Sequence, residues 1–172
     1  MSEYHIVREY PKPVPIVWKA LTDPALVPLW TSTGRGGRPE GFKPVDGTKF
    51  RYIGKPVPGW DGIVLCQVLA VDEPRLLQYD WRNKESDEPT VVTNSLEEVP
   101  GGTRLTWDHT GFHGIEGLFM SRLLGRVRRT MLYKGFPAVL NDLDDQGNLR
   151  PGSHLHPNHP RVKREDFKEQ SQ

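Results

Sequence analysis

The sequence has 172 residues, and its 23 lysines and arginines nearly balance its 22 acidic residues, for a formal net charge of +1. This length predicts one domain that buries a sizeable core, and the single cysteine, Cys66, excludes an internal disulfide framework. The balanced charge argues against nucleic-acid binding. No apolar run could span a membrane and no signal-peptide pattern opens the chain, so we expect no membrane insertion and a cytoplasmic location.

The first part of the chain predicts a strand, two short helices and a loop. Residues 3–10 alternate weakly, as in a strand, and residues 14–21 carry apolar side chains at helical spacing. The dipeptide Asp23-Pro24 is typical of a helix start, which predicts a second short helix. The glycine-rich residues 31–47 predict a solvated loop, because no P-loop lysine and no helix pattern follow the glycines.

Five further strands are predicted downstream, separated by turn residues. The clearest pair is a hairpin, in which residues 63–71 and 76–81 flank an Asp-Glu-Pro-Arg turn. Turn signals also bound the other three predicted strands, over residues 48–54, 90–98 and 103–110. Short turns between consecutive strands indicate an antiparallel sheet with one buried face.

From Ile115 the apolar period changes to three and four residues, which predicts a long amphipathic helix covering the sheet. Pro137 predicts a kink or break in it, because proline cannot donate to the carbonyl of Tyr133. The polar residues that follow predict a flexible tail. We therefore expect one domain over residues 1–147 and a tail over 148–172.

Several segments, in their order along the chain, resemble the motifs of one known family. They are Val17-Trp18-Lys19-Ala20-Leu21-Thr22-Asp23-Pro24, Leu29-Trp30, residues 42–50, the 63–81 hairpin, Gly102-Thr103-Arg104-Leu105-Thr106, His109-Thr110-Gly111-Phe112, and Gly135-Phe136 with Leu140 and Leu143. Together they span about residues 4–145 and resemble the START/Bet v-like (SRPBCC) superfamily. Within it, they resemble the family named after the activator of the 90-kDa heat-shock protein ATPase. Pro137 and the tail beyond about residue 150 depart from the family pattern.

The resemblance implies an α+β helix-grip fold, in which a curved antiparallel six-stranded sheet wraps around a long C-terminal helix, with two short helices after the first strand. Such a fold encloses a pocket between the sheet and the helix, and pockets of this kind are mainly apolar with a few polar groups. We expect a small hydrophobic or aromatic ligand there, of lipid or polyketide type. The expected ligand-binding residues are Leu77, Tyr79, Trp81, Asn94, Trp107, His109, Phe119, Leu123 and Phe136.

His109 is the one titratable side chain that we nominate for chemistry. It is predicted to share the inner face of its strand with Leu105 and Trp107, whereas Asp108 points to the opposite face. A histidine there either makes structural hydrogen bonds or moves a proton near neutral pH. Motifs for a serine nucleophile, a Cys–His pair or a dinucleotide site are missing from the sequence, so we expect no cofactor.

Metal binding is not expected from the histidines. His109 and His113 are four residues apart, but Gly111 and Gly114 disfavour the helix that would bring them together. The histidines near the C-terminus favour a solvated segment over a metal-binding tract. They are His154, His156 and His159.

Basic residues cluster along one face of the predicted long helix. They are Arg122, Arg126 and Arg129, with Arg128 and Lys134 nearby. A helix face opposite an apolar stripe is normally solvated, which is the interpretation we favour, and an acidic ligand or partner is the alternative.

Three functions are compatible with the sequence. The chain is a binding or carrier module without chemistry, a cyclase, hydrolase or lyase that uses His109, or a chaperone-associated or stress-response interaction domain, as the family name alone suggests. An exposed apolar patch would favour the third. The loop Gly34–Gly41 and the kink near Pro137 are candidate gates. A homodimer packed through a sheet edge or the long helix is compatible with all three.

Overall fold

A computed structural model describes residues 1–31 and 37–155 of the chain. The described residues form seven strands, two short helices and a C-terminal helical arm. In chain order the strands are β1 (Ser2–Tyr10), β2 (Arg38–Glu40), β3 (Lys49–Ile53), β4 (Ile63–Asp72), β5 (Leu76–Trp81), β6 (Thr90–Val99) and β7 (Gly102–Phe112). The helical elements are α1 (Val14–Thr22), α2 (Val27–Trp30), α3 (Gly114–Thr130), a π-helical segment (Met131–Gly135) and α4 (Phe136–Asn141). The two short helices follow β1, as the sequence predicted.

The seven described strands pair antiparallel in one sheet, in the order β1-β7-β6-β5-β4-β3-β2. The predicted α+β class and antiparallel pairing are confirmed, but the predicted number of six strands was wrong. The additional strand, β2, lies within the residues predicted as a loop. It has three residues, one of them Pro39, so no alternation reveals it. β2 pairs antiparallel with β3. Between the two strands, the Arg51 guanidinium donates to the Glu40 carboxylate at 2.6 Å.

The loop predicted as a gate falls partly outside the described residues. Residues 34–36 are not described, and Arg38–Glu40 pairs with β3 as strand β2. A gate in the second half of that loop would therefore have to break this pairing.

The buried face of the sheet follows the alternation that the sequence predicted. On β7, Leu105, Trp107 and His109 are buried, and Asp108 on the other face contacts His5. Cys66 is buried in β4, and burial raises the pKa of its thiol far above the usual value. It therefore fits the structural role expected of a cysteine in an apolar strand.

The C-terminal arm passes through its π-helical segment close to the predicted kink. Pro137 lies in the first turn of α4, directly after the π-helical segment, where the interrupted α-helical hydrogen-bond pattern accommodates a residue without an N–H. Gly135 allows the arm to approach α2, since a Cβ at that position would lie 2.7 Å from the carbonyl oxygen of Trp30. The interruption thus widens the helix locally while the chain continues as α4.

Residues 148–155 return onto the end of α4. The backbone N–H of Arg150 donates to the carbonyl oxygen of Asp142 at 2.8 Å, and the hydroxyl of Ser153 donates to the Asp142 carboxylate at 2.6 Å. These residues fall within the predicted tail. The domain boundary at residue 147 and the flexibility of the tail stay predictions.

The remaining tail residues, 156–172, lie outside the described ranges, and with them the predicted solvated histidines His156 and His159. Within residues 1–31 and 37–155, no helix combines the length and apolarity needed to cross a membrane. The same ranges contain no group of three or more His, Cys, Asp or Glu side chains arranged to hold a metal ion.

Candidate functional site

Helix α3 lies along β1 and β7 on the inner face of the sheet, and small residues bring it close. A Cβ on Gly125 would lie 3.0 Å from the Cβ of Tyr4, and one on Gly117 would lie 2.9 Å from the carbonyl carbon of Phe112. Ser121, between these glycines, is buried. The three small residues are spaced by four and therefore share one helix face. This face holds α3 over β1 and β7 rather than over β3, β4 and β5.

The apolar stripe of α3 is largely exposed. Ile115, Phe119 and Leu123, which we name the outer ridge, are 88%, 66% and 43% exposed. Phe119 and Leu123 each follow a small sheet-facing residue by two positions, which places them about 200° around the helix. The prediction that the apolar stripe faces the sheet was therefore wrong, and the structure does not bring Phe119 and Leu123 onto its inner face.

Aromatic side chains cover one end of the inner face of the sheet. We name Tyr4, His109, Trp81, Tyr52 and Tyr79 the aromatic layer. In that order, the centroids of successive rings lie 5.2, 5.5, 6.1 and 6.1 Å apart. Tyr79 and His109 are buried, whereas Tyr4, Tyr52 and Trp81 are half-buried. This end, which we name the open end, therefore has three aromatic residues that are only half-buried, although burial raises the pKa of the Tyr52 hydroxyl well above its usual value.

The other end of the inner face, which we name the closed end, is filled by the chain's own side chains. The Phe136 ring lies 5.0 Å from the rings of both Trp30 and Tyr10, and the Trp30 ring lies 6.4 Å from that of Trp107. The Tyr10 hydroxyl donates to the carbonyl oxygen of Leu132 at 2.7 Å. All five side chains are at most 3% exposed. Two predicted ligand-binding residues, Trp107 and Phe136, thus lie in packed core.

Asn94 and Leu77, both predicted to bind ligand, lie beside Trp107 in one row across the sheet. Each of the three is 2% exposed. The Asn94 Oδ1 and the Trp107 Nε1 are buried and have no hydrogen-bond partner among the described residues. Buried polar atoms without a partner are uncommon in proteins. This row, which lies next to the aromatic layer on the same face of the sheet, therefore contains two unsatisfied polar atoms.

His109 is held on both sides within the aromatic layer. Its Nε2 lies 2.7 Å from the Thr90 hydroxyl oxygen, and its Nδ1 lies 3.1 Å from the Tyr4 hydroxyl oxygen. Burial, and secondarily the charge of Arg128, lower the pKa of His109 to about 3. The imidazole is therefore neutral at physiological pH, with both nitrogens in hydrogen-bonding contact.

Arg128 projects from α3 toward the inner face, at the boundary between the open and closed ends. The central carbon of its guanidinium lies 4.3 Å from the ring centroid of Trp107, and its Nη1 lies 3.4 Å from the Met131 sulfur. Its Nε is buried without a partner, and no described carboxylate forms an ion pair with it. The Arg128 guanidinium thus lies against the Trp107 ring without a counter-ion from the described residues.

From its sequence position, Arg128 was expected to be solvated like Arg122, Arg126 and Arg129. The structure separates them, because Arg122, Arg126 and Arg129 are exposed whereas Arg128 is half-buried. A signal was present in the sequence, since Arg128 follows the small residue Gly125 by three positions and so lies close to the face that packs on the sheet.

A separate open groove of about 590 Å³ lies beside α1. Its lining includes Ile16, Trp18, Phe42 and Pro74, and none of the predicted ligand-binding residues contributes to it. None of the unpartnered buried polar atoms found in the described ranges belongs to this lining either. The unpartnered buried polar atoms of the described ranges therefore lie away from this groove, whose lining has polar side chains of its own, including Lys19 and Glu73.

Solved structures with this fold come from several bacteria. A protein from Mesorhizobium loti is 25% identical, with a TM-score of 0.69 over 83% of this chain and 99% of its own. A protein from Rhodobacter sphaeroides is 22% identical, with a TM-score of 0.68 over 83% of this chain and 94% of its own. DynU16 is 24% identical, with a TM-score of 0.58 over 77% of this chain and 47% of its own.

These structural similarities support the helix-grip fold. A comparison with curated proteins found no match. The family model described as "Activator of Hsp90 ATPase homolog 1-like protein" matches residues 12–144, which is well over half of the chain. The protein therefore belongs to the family of activator of Hsp90 ATPase homolog 1-like proteins, within the SRPBCC superfamily that the sequence motifs resemble.

Proposed function

We propose that the chain binds a small apolar or aromatic molecule at the open end of its inner face. One observation carries the proposal: Tyr52 and Trp81 are half-buried aromatic residues on β3 and β5, the part of the inner face that α3 leaves uncovered, and the half-buried Tyr4 lies at its border against Gly125 of α3. Aromatic rings that retain exposed area gain free energy when an apolar ligand covers them. Leu124, one helical turn before Arg128, is also half-buried and supplies an apolar surface from the helix.

Binding without chemistry is better supported than acid–base catalysis. An efficient general base has a pKa near the working pH, whereas the pKa of His109 is lowered to about 3. Both of its nitrogens already contact hydroxyl groups of the chain. We therefore assign His109 a structural role that fixes the Tyr4 ring, and we retain the cytoplasmic location as part of the proposal.

One neighbour adds support from its description. DynU16 is described as a putative protein in the dynemicin biosynthetic locus. A protein of this fold is thus associated with the synthesis of a small molecule, which is consistent with an apolar ligand for the present chain.

The proposal is tested with the neutral fluorescent dye N-phenyl-1-naphthylamine as the ligand. We expect the wild-type chain to bind the dye and Trp81→Ala or Tyr52→Ala to weaken binding by about tenfold, since each removes an aromatic contact worth about 1 kcal/mol or more. Tyr133→Ala is the matched control, because Tyr133 is 46% exposed and lies outside the aromatic layer. Equal affinity in all four proteins, or no dye binding by the wild type, would contradict the proposal.

A second candidate function, an interaction domain, is favoured by the outer ridge. Exposed apolar patches on soluble proteins often mark interaction sites, and the family description names an activator of a chaperone ATPase. On this candidate, Leu123→Asp abolishes stimulation of the ATPase of a purified 90-kDa heat-shock protein. Val57→Asp is the control, because Val57 is 55% exposed in a loop. If Leu123→Asp instead abolishes dimerisation, the outer ridge is the contact surface of a homodimer.

A further inference from the structure

We infer that the ligand at the open end carries an acidic group, a carboxylate or a comparable oxyanion, and that Arg128 binds it. This inference rests on the proposed function and specifies its ligand class. The ligand would place its apolar body on the aromatic layer and its anionic group at the guanidinium, where α3 faces the sheet.

The first argument is the missing counter-ion. A guanidinium stays charged at any physiological pH, and removing a charge from water is costly unless the charge is paired. Arg128 is half-buried and touches the Trp107 ring and the Met131 sulfur, neither of which carries a negative charge. No carboxylate in residues 1–31 and 37–155 lies within ion-pair distance of it.

Two other arginines of the sheet do have carboxylate partners. Arg82 donates to the Asp80 carboxylate at 2.8 Å, although both side chains are largely buried. The exposed Arg104 contacts two glutamates, each at 3.1 Å. Within the described residues the fold thus supplies carboxylates to Arg82 and Arg104 but none to Arg128, and Arg8, which stacks on Tyr133 in the same way, is the comparison for its role.

The second argument is the set of unpartnered polar atoms next to this cation. Two of them, the Arg128 Nε and the Trp107 Nε1, are N–H donors, and the guanidinium stacks on the indole ring. An oxyanion accepts several hydrogen bonds, so one group can satisfy both donors. The Asn94 side chain, in register with Trp107, offers an unpartnered acceptor to a hydroxyl or to the protonated form of the acid.

An ordered water molecule is the competing occupant. Water can accept from both donors and donate to the Asn94 Oδ1, which would satisfy the same atoms. The two occupants differ in charge, and this difference decides the design of the experiment. A water site is indifferent to the charge of a bound ligand, whereas an anion site is not.

The experiment compares two dyes with the same aromatic body. The dye 1-anilinonaphthalene-8-sulfonate carries a sulfonate, and N-phenyl-1-naphthylamine lacks it. We expect the wild-type chain to bind the sulfonate dye about tenfold or more tightly than the neutral one. Arg128→Met should abolish this preference, measured in each protein as the ratio of the two dye affinities, and Arg128→Lys should keep part of the preference because it keeps the charge.

Arg8→Met is the matched control. Arg8 resembles Arg128, since its guanidinium carbon lies 3.9 Å from the Tyr133 ring centroid and its Nε is also unpartnered, but it lies outside the aromatic layer. The preference for the sulfonate should survive in this variant. Thermal unfolding of each variant identifies any loss that comes from misfolding, in which case Arg128→Lys decides.

The outcomes separate the inference from the proposed function. If both dyes bind wild type equally, or if Arg8→Met loses the preference as fully as Arg128→Met does, the anion site is overturned while apolar binding stands. If neither dye binds wild type, both proposals are overturned. A preference lost only in the Arg128 variants supports the inference.

Discussion

The closed and open ends of the inner face use the same kinds of side chain for different purposes. At the closed end, Trp30 and Tyr10 are buried and donate to backbone carbonyls at 2.8 and 2.7 Å. At the open end, Tyr52 and Trp81 are only half-buried residues, and Arg128 stands at the boundary without an ion-pair partner among the described residues. Burial and hydrogen bonding, rather than residue type, therefore distinguish Trp30 and Tyr10 in the core from Tyr52 and Trp81, which we propose as ligand contacts.

The strongest test of the comparison is Phe136→Ala. Phe136 is fully buried between Trp30 and Tyr10, so the variant loses apolar contacts and leaves a cavity. We expect the free energy of unfolding to fall by about 3–5 kcal/mol, whereas Trp81→Ala, at a half-buried position, should lose about 1 kcal/mol.

Urea denaturation measures both losses, and binding of the neutral dye by the folded protein gives a second readout. Phe136→Ala should leave dye affinity unchanged and Trp81→Ala should reduce it. Equal stability losses, or dye binding that depends on Phe136, would show that the two ends are not distinct.

A second test uses pH and the buried His109. Because the folded-state pKa of His109 is lowered to about 3 from its usual value of 6.5, the unfolded chain takes up a proton between these pH values and the folded protein does not. The stability contributed by neutral His109 is fully present above pH 6.5 and is lost as pH falls toward 3. Between pH 7 and pH 5 this amounts to about 2 kcal/mol.

The comparison variant for this test is His109→Gln, which does not titrate. We expect the free energy of unfolding of wild type, from urea titrations at pH 7 and pH 5, to fall by about 2 kcal/mol more than that of the variant. The other titrating groups are common to both proteins and therefore cancel in the comparison. Asp144 is one of them, and its pKa is lowered mainly by hydrogen bonds from backbone N–H groups. Parallel pH dependences would mean that the folded protein protonates His109 as readily as the unfolded chain does, so that its pKa is not lowered by folding.

Much of the fold could be predicted because strong local signals agreed with the tertiary structure. The hairpin of β4 and β5 combines a long apolar run with a turn, and the backbone N–H of Arg75 donates to the carbonyl oxygen of Asp72 at 2.7 Å. β7 alternates strictly, so its inner face was predicted correctly. β2 could not be predicted, because three residues around Pro39 carry no period and form a strand only through pairing with β3.

The candidate site was predicted only in part, because helix packing followed close approach rather than apolarity. Gly117, Ser121 and Gly125 let α3 approach the sheet, and this turned the apolar stripe outward. Arg128 was grouped with solvated arginines, since a charged helix residue is usually exposed. Tyr79, Trp81 and His109 were correctly placed on the inner face, but the predicted set did not separate the open end from the closed end. Their role as ligand contacts stays a proposal.

The smallest effect is expected at the outer ridge, and it compares one residue type at two sites. Phe119 is 66% exposed and Phe136 is fully buried, so Phe119→Ser should change the free energy of unfolding by no more than about 0.5 kcal/mol. Urea denaturation at low and high protein concentration measures the change. A loss of about 2 kcal/mol at high concentration alone would mean that a second copy covers the ridge. The same loss at both concentrations would mean that the Phe119 side chain is buried within a single copy of the chain, and the ridge would then no longer support an interaction domain.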